Sequence, residues 1–125
     1  MSELTVRRAG PAEAAALSAF MRRLFLAAYA HSADAANVAR YVEATFVPRQ
    51  QARELADPGL ETLLAETADG WAGYAQLRPA SRPQVALGAE SPAELWRFYL
   101  DPRWHGSGAA ARLMQSVTDR AAARS

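Results

Sequence analysis

Apolar residues in the first half of this chain recur with a helical period, and those in the second half with an extended one. Residues 4–9 predict a first strand, which Gly10-Pro11 ends. From Ala12 onward Leu17, Phe20, Met21, Leu24, Phe25 and Ala28 recur at three and four residues, the stripe of an amphipathic helix. Ser32 or Asp34 would cap a second helix carrying Val38, Tyr41, Val42 and Phe46 on its inner face. Pro48 suits the first turn of a short third helix through residue 56, which Asp57-Pro58-Gly59 stops.

The pattern then becomes extended. Residues 60–67, an Ala68-Asp69-Gly70 turn and residues 71–78 predict two strands joined as a hairpin. A polar loop interrupted by prolines occupies residues 79–92, and residues 93–101 predict another strand. A glycine-rich turn leads from it into a last helix over residues 107–124. No internal repeat or low-complexity segment accompanies this order beyond an enrichment in Ala.

Length and composition narrow the classes. The 125 residues suit one domain with a single core, at the short end for a two-layer α/β enzyme. Half of the residues are hydrophobic and the net charge is +1, so a disordered tail is not expected. All 14 basic residues are Arg; with the many Ala residues, this fits a GC-rich bacterial genome. They are spread along the chain, which gives no support for a nucleic-acid surface. The absence of Cys excludes disulfides, thiolate catalysis and Cys-based metal sites, and is compatible with a reducing cytoplasm. His31 and His105 are the only two His residues, too few to predict a metal site. The start of the chain lacks the features of a signal peptide, and the most apolar run, residues 20–30, is broken by Arg22 and Arg23 and too short to span a bilayer. A cytoplasmic protein without membrane association is the expectation.

The chemistry concentrates in Leu95-Trp96-Arg97-Phe98-Tyr99-Leu100-Asp101-Pro102-Arg103-Trp104-His105-Gly106-Ser107-Gly108-Ala109-Ala110-Ala111-Arg112-Leu113-Met114. An apolar strand runs through a glycine turn into a helix. Glycines let an anion approach the backbone, and the first N–H groups of a helix have no partners inside it. Together with the positive end of the helix dipole, they form a diphosphate cradle.

This spacing resembles motif A of the GCN5-related N-acetyltransferases, in which a Gln or Arg, two residues, a Gly, one residue and a Gly or Ala bind the pyrophosphate of acetyl-CoA. The matching positions are His105, Gly108 and Ala110; His105 departs from the usual Gln or Arg. The resemblance covers the whole chain as one domain, residues 1–125. It implies the acyl-CoA N-acyltransferase fold of α/β (α+β) class, a mixed, mostly antiparallel sheet flanked by helices. The family fold normally continues past the signature helix with a strand, a helix and closing strands. The resemblance therefore implies the cofactor-binding part, without the segment whose Tyr usually protonates the leaving thiolate.

Acetyl-CoA is then the expected cosubstrate, with no metal, and a small-molecule amine the expected acceptor. By the resemblance the backbone of Phe98, Tyr99 and Leu100 pairs with pantetheine and polarises the thioester; as an ordinary reading, the same residues form a core strand. The pyrophosphate would meet His105, Gly106, Ser107, Gly108, Ala109 and Ala110, with the His105 N–H joining the cradle and Ser107 serving as ligand or helix cap. Trp104 is expected to pack under the turn, and Arg103 and Arg112 would meet the 3′-phosphate or remain solvated. Glu94 falls where several relatives place a general base, a task that partial burial beside Trp96 would suit; the alternative is a carboxylate paired with an Arg. Tyr29, Tyr41 and Phe46 would line the acceptor side, and Glu90 would attract a cationic substrate or simply be solvated.

A looser similarity, in residues 24–29, 41–46 and 53–57 and in Gly73-Tyr74-Ala75, is to bacterial spermidine/spermine acetyltransferases of the PaiA type. It implies a polyamine acceptor. Relatives often pair, so a homodimer is expected as well. The rival class is a non-catalytic acyl-CoA-binding module, or a fragment needing a complementing C-terminal segment. A P-loop hydrolase is disfavoured because no Gly-Lys-Ser/Thr follows the glycines. A Rossmann binder is disfavoured because only Gly10 follows the first strand.

Overall fold

The computed structural model describes residues 4–79 and 93–123. The chain divides into two units: Met1–Arg8 with Pro58–Ser125, and Ala9–Asp57.

The first unit is built on strands β1 (Thr5–Arg8), β2 (Glu61–Thr67), β3 (Gly70–Pro79) and β4 (Ala93–Leu100). They pair in the order β1-β2-β3-β4, antiparallel throughout. Alternation along β2 and β3 sends Leu63, Ala65, Ala75 and Leu77 to one face of the sheet. Of the helices, numbered α1 to α4 in chain order, α4 (Ala109–Ala123) lies across that face, burying Leu113 and Val117 one helical turn apart. Val6, Phe98, Leu100 and Trp104 close the rim of this core. Met114 is exposed, because one residue further along a helix turns the side chain about 100° away. The predicted last helix thus loses its first two residues, 107 and 108, to the turn.

Two irregularities shape the strand that leads into α4. Gln76 faces Arg97 and Leu77 faces Leu95, so Trp96 has no opposite residue and β4 bulges there. Gly73 sits against the far end of β4: a Cβ at that position would lie 2.6 Å from the Tyr99 carbonyl oxygen. Only a residue without a side chain lets β3 come this close. On the sheet face opposite the Leu113 core, Arg97 Nη1 donates to Gln76 Oε1 (2.8 Å) and Gln76 Nε2 to Thr62 Oγ1 (3.1 Å), all three residues being buried. Their polar groups are hydrogen-bonded, as burial requires.

The second unit holds a 3-10 turn (Pro11–Glu13), α1 (Ala14–Ala28), α2 (Ala35–Thr45) and α3 (Pro48–Ala56). Glu13 accepts from the Gly10 N–H (2.8 Å), and Asp34, one of the two expected caps, accepts from the Asn37 N–H (3.2 Å). Of the stripe predicted on α1, Leu17, Phe20, Met21 and Leu24 are buried, Phe25 is half-buried and Ala28, in the last turn, is exposed. On α2 the prediction holds for Val42 and fails for Tyr41, which is exposed; its ring stacks on Phe25 (4.9 Å) and leaves its outer edge in solvent. Among the described residues, no helix is long and apolar enough to cross a membrane.

Leu113 is fully buried at the centre of the sheet–helix core, so Leu113→Ala should destabilise the protein by about 2–5 kcal/mol through lost burial and the cavity left behind. Urea unfolding followed by circular dichroism measures this. A loss well below about 1 kcal/mol would show that the core closes around the truncation.

Candidate functional site: a glycine turn at the start of helix α4

Asp101, the residue after β4, organises the turn into α4. Its N–H donates to the Ala72 carbonyl on β3 (2.8 Å), which holds the end of the strand in the sheet. Its carboxylate, almost wholly buried, accepts from the Arg103 N–H (3.1 Å) and Nε (3.3 Å), and its carbonyl takes the Trp104 N–H (2.8 Å). Pro102, with φ set by its ring and no N–H to satisfy, opens the short 3-10 turn Pro102–Trp104. In the sequence Asp101 reads only as the last residue of a strand. The signal for its role is an acid immediately before Pro at a strand end, a capping pattern.

The turn then closes on itself. The His105 N–H donates to the Pro102 carbonyl (3.1 Å) and the Ser107 N–H to that of Trp104 (3.3 Å). Gly106 and Gly108 adopt φ of +79° and +88°, where other residues are strained, and a Cβ on either would meet nothing within 4 Å. Ser107 Oγ donates to the Trp104 carbonyl and accepts from the Ala109 N–H (3.3 Å). The first helical bond runs from the Arg112 N–H to the Gly108 carbonyl (3.1 Å).

These bonds sort the residues expected to hold the pyrophosphate. The N–H groups of His105, Ser107 and Ala109 are engaged within the protein, so the expectation that the His105 N–H joins the cradle is corrected: the 3-10 turn uses it first. Ser107 takes the capping role. Gly106, Gly108 and Ala110 remain, each solvent-exposed and with no acceptor for its N–H among the described residues. These amides lie at the positive end of the dipole of a fifteen-residue helix. Trp104 packs against the core under the turn, as expected. Arg103 pairs with Asp101 (Nη2–Oδ2 3.2 Å) and Arg112 donates to Ser116 Oγ (3.0 Å), so each is held on its own element.

Phe98, Tyr99 and Leu100 lie on β4, which pairs on one side only among the described residues. Phe98 and Leu100 pack into the Leu113 core, and the Tyr99 ring stacks on Tyr74 at 5.8 Å. Glu94, at the start of the strand, receives Arg78 Nε at 2.7 Å, and Arg78 also lies over the Trp96 ring (4.5 Å). The geometry is that of the Arg-paired carboxylate. Tyr29 belongs to the helical unit, where it ends α1 half-exposed with its ring 4.5 Å from Phe25. Phe46 is buried in that unit, as the inner-face reading of α2 expects, and so does not offer the acceptor surface also expected of it. Glu90 lies outside the described residues. Among the described residues no three His, Cys, Asp or Glu side chains cluster as metal ligands.

A four-stranded antiparallel sheet whose last strand leads through a glycine turn into a helix packed on one face is an α/β arrangement that known proteins share. The chain belongs to the acetyltransferase (GNAT) family, whose model matches residues 16–125. Its fold is the acyl-CoA N-acyltransferase fold. Uncharacterized N-acetyltransferases of Mycobacterium bovis and Mycobacterium tuberculosis are each 33% identical to it over 106 residues, 85% of this chain and 63% of theirs. The chain thus spans less than two thirds of these relatives. Among solved structures, the PaiA N-acetyltransferase of Thermoplasma acidophilum in complex with coenzyme A is similar with a TM-score of 0.75 at 15% identity, over 94% of this chain and 70% of that one. A GCN5-related N-acetyltransferase of Ralstonia eutropha has a TM-score of 0.75 at 16% identity, over 98% and 78%. An aminoglycoside acetyltransferase from an uncultured soil sample, in complex with sisomicin, has a TM-score of 0.66 at 13% identity, over 95% and 70%.

Asp101→Ala should cost about 1–2 kcal/mol, since it strips the 3-10 turn of its cap and Arg103 of its partner. Thermal unfolding measures the loss. Stability within about 0.5 kcal/mol of the parent would show that the turn stands without the carboxylate.

Proposed function

We propose that this chain supplies the cofactor-binding part of an acetyl-CoA-dependent N-acetyltransferase acting on a primary amine of a small molecule. The observation that carries the proposal is the set of open N–H groups on Gly106, Gly108 and Ala110, immediately after a strand with a free edge. The residues present fit the cosubstrate: the donors suit a diphosphate, and no side chain stands over either glycine. When bound, acetyl-CoA supplies the activated acyl group as a thioester.

The chain's own groups then have definite tasks. The amides at the start of α4 hold the negative charge without any Lys. The outer edge of β4 at Phe98, Tyr99 and Leu100 offers backbone groups in an extended row, suited to pair with an amide-bearing arm and to donate toward a developing oxyanion. The bulge at Trp96 turns the beginning of the strand relative to its end. The neutral amine attacks the thioester carbonyl directly, the carbon–sulfur bond breaks, and the amine loses one proton while the thiolate gains one. Glu94 accepts the amine's proton, directly or through water, its carboxylate oriented by the bond from Arg78 to Oε1. A polyamine is the narrower acceptor reading, supported by the local similarity to PaiA-type enzymes and the fold likeness to one of them.

Isothermal titration with acetyl-CoA, with dephospho-CoA and ATP as comparisons, tests the cradle. Saturable binding should weaken at least about tenfold in Gly108→Asp, which sets a negative charge and a strained side chain among the open amides. Equal binding by parent and variant would overturn this placement of the cofactor. A folded chain that binds nothing would support the second reading, favoured by the 63% coverage of the relatives, of a part that needs a complementing segment.

Glu94→Gln should lower kcat by about 100-fold with an amine that is turned over, if the carboxylate takes the proton. A change below about threefold would leave it as the partner of Arg78 alone.

A further inference from the structure

The bulge in β4 decides which face of the sheet carries Glu94. Phe98 and Leu100 pack into the Leu113 core, so an unbroken alternation would bring Trp96 and Glu94 to that face as well. The shift in register prevents it. Leu77 faces Leu95 and Arg78 faces Glu94, which moves the Glu94 carboxylate to the side of Gln76 and Arg97, opposite α4. We propose that Trp96 is a positioning residue, whose stack on Arg97 holds this bulge and thereby keeps Glu94 on the face opposite α4.

Apolar burial does not account for the bulge. It leaves Leu95 40% exposed and Trp96 out of the packing around Leu113, where a straight strand would bring that large ring. What the bulge provides is contact on the polar face. Trp96 and Arg97 are neighbours in sequence, and in a straight strand their side chains would point to opposite faces. Here the Arg97 guanidinium lies over the Trp96 ring, 3.7 Å from its centroid, and that of Arg78 lies at 4.5 Å. A cation is drawn to the negative face of an aromatic ring, most strongly to that of Trp. Two guanidinium groups that meet one ring repel each other, and each is anchored by its own acceptor. Arg97 Nη1 donates to Gln76 Oε1 (2.8 Å), Gln76 Nε2 donates in turn to Thr62 (3.1 Å), and Arg78 Nε donates to Glu94 (2.7 Å). Gln76 faces Arg97 with or without the bulge, so Gln76 orients the guanidinium and the ring selects the register.

The effect is confined to one end of the strand. The pairs Gly73–Leu100, Tyr74–Tyr99, Ala75–Phe98 and Gln76–Arg97 lie on the far side of the bulge and would persist in a straight strand. The edge and the glycine turn assigned to the cofactor therefore stay in place. On the near side, a straight register sets Leu77 against Trp96 and Arg78 against Leu95, and turns Glu94 toward the α4 face, away from the Arg78 guanidinium. Trp96 thus acts on the carboxylate and not on cofactor binding. Its bearing on turnover rests on the role proposed for Glu94; the lock itself does not.

NMR of the full chain tests the lock without any turnover. In the parent, cross-strand NOEs should join residue 77 with 95 and residue 78 with 94. Trp96→Leu removes the ring but keeps an apolar side chain, and should move these contacts to 77 with 96 and 78 with 95. Arg97→Met, which removes the guanidinium, should do the same, whereas Trp96→Phe keeps an aromatic face and should retain the parent pairs. The methyl resonances of Leu113 and Val117 report whether α4 remains packed. Parent pairs in a folded Trp96→Leu or Arg97→Met chain would overturn the proposal, as would loss of those pairs in Trp96→Phe. With an amine that is turned over, Trp96→Leu should lower kcat at least about tenfold with the KM for acetyl-CoA within about threefold, and Trp96→Phe should restore kcat. In a Glu94→Gln background Trp96→Leu should cost no further rate, because both changes act through one carboxylate. Equal losses in the two backgrounds would overturn the positioning role. A Glu94→Gln chain as active as the parent would overturn the base reading alone, with the NOEs still deciding the lock.

Discussion

The packing of α4 on the sheet is the constraint on which the functional part of this molecule depends. Leu113 and Val117 can be buried only if the helix crosses the apolar face made by Leu63, Ala65, Ala75 and Leu77. Once they are, the N-terminus of the helix has one place to be, a short turn beyond the end of β4. The open amides are thus positioned by burial eleven or fewer residues away, and not by any contact of their own. A functional backbone site gains its precision from the apolar core behind it.

The link between strand and helix is correspondingly economical. Asp101 ties the strand end to β3 through its backbone and the 3-10 turn through its carboxylate, while Trp104 fills the space beneath. The turn consumes the N–H groups of His105, Ser107 and Ala109, and the positive φ of Gly106 and Gly108 lets the intervening amides face outward. The pattern explains why a side chain at position 105 can differ from the usual Gln or Arg of the family. What the turn leaves open is the main chain, whose donors are the same for any residue except Pro.

Around β4 the same strand serves packing and polarity on different faces. Phe98 and Leu100 enter the core, Arg97 and Gln76 form a buried hydrogen-bonded chain on the opposite face, and the ring of Trp96, pushed out of register, meets the guanidinium groups of both Arg78 and Arg97. Gly73 fixes the spacing at the other end of the strand by bringing β3 against the Tyr99 carbonyl. Bulge and close approach together determine how the free edge is presented.

Much of this was legible in the residues alone. The period of the apolar positions located every described helix and strand to within two residues at its start, and Pro48, Asp57-Pro58-Gly59 and the two glycines marked the boundaries, because local periodicity and allowed φ are properties of short segments. The glycine spacing after a strand was enough for the family. The tertiary structure decided the partners: which amides of the turn remain open, that Glu94 is paired with Arg78 sixteen residues away, that Trp96 bulges, and that Phe46 is buried where Tyr41 is exposed. Hydrogen bonding, ion pairing and burial depend on what the fold brings alongside a residue, and no pattern within a short window contains that information.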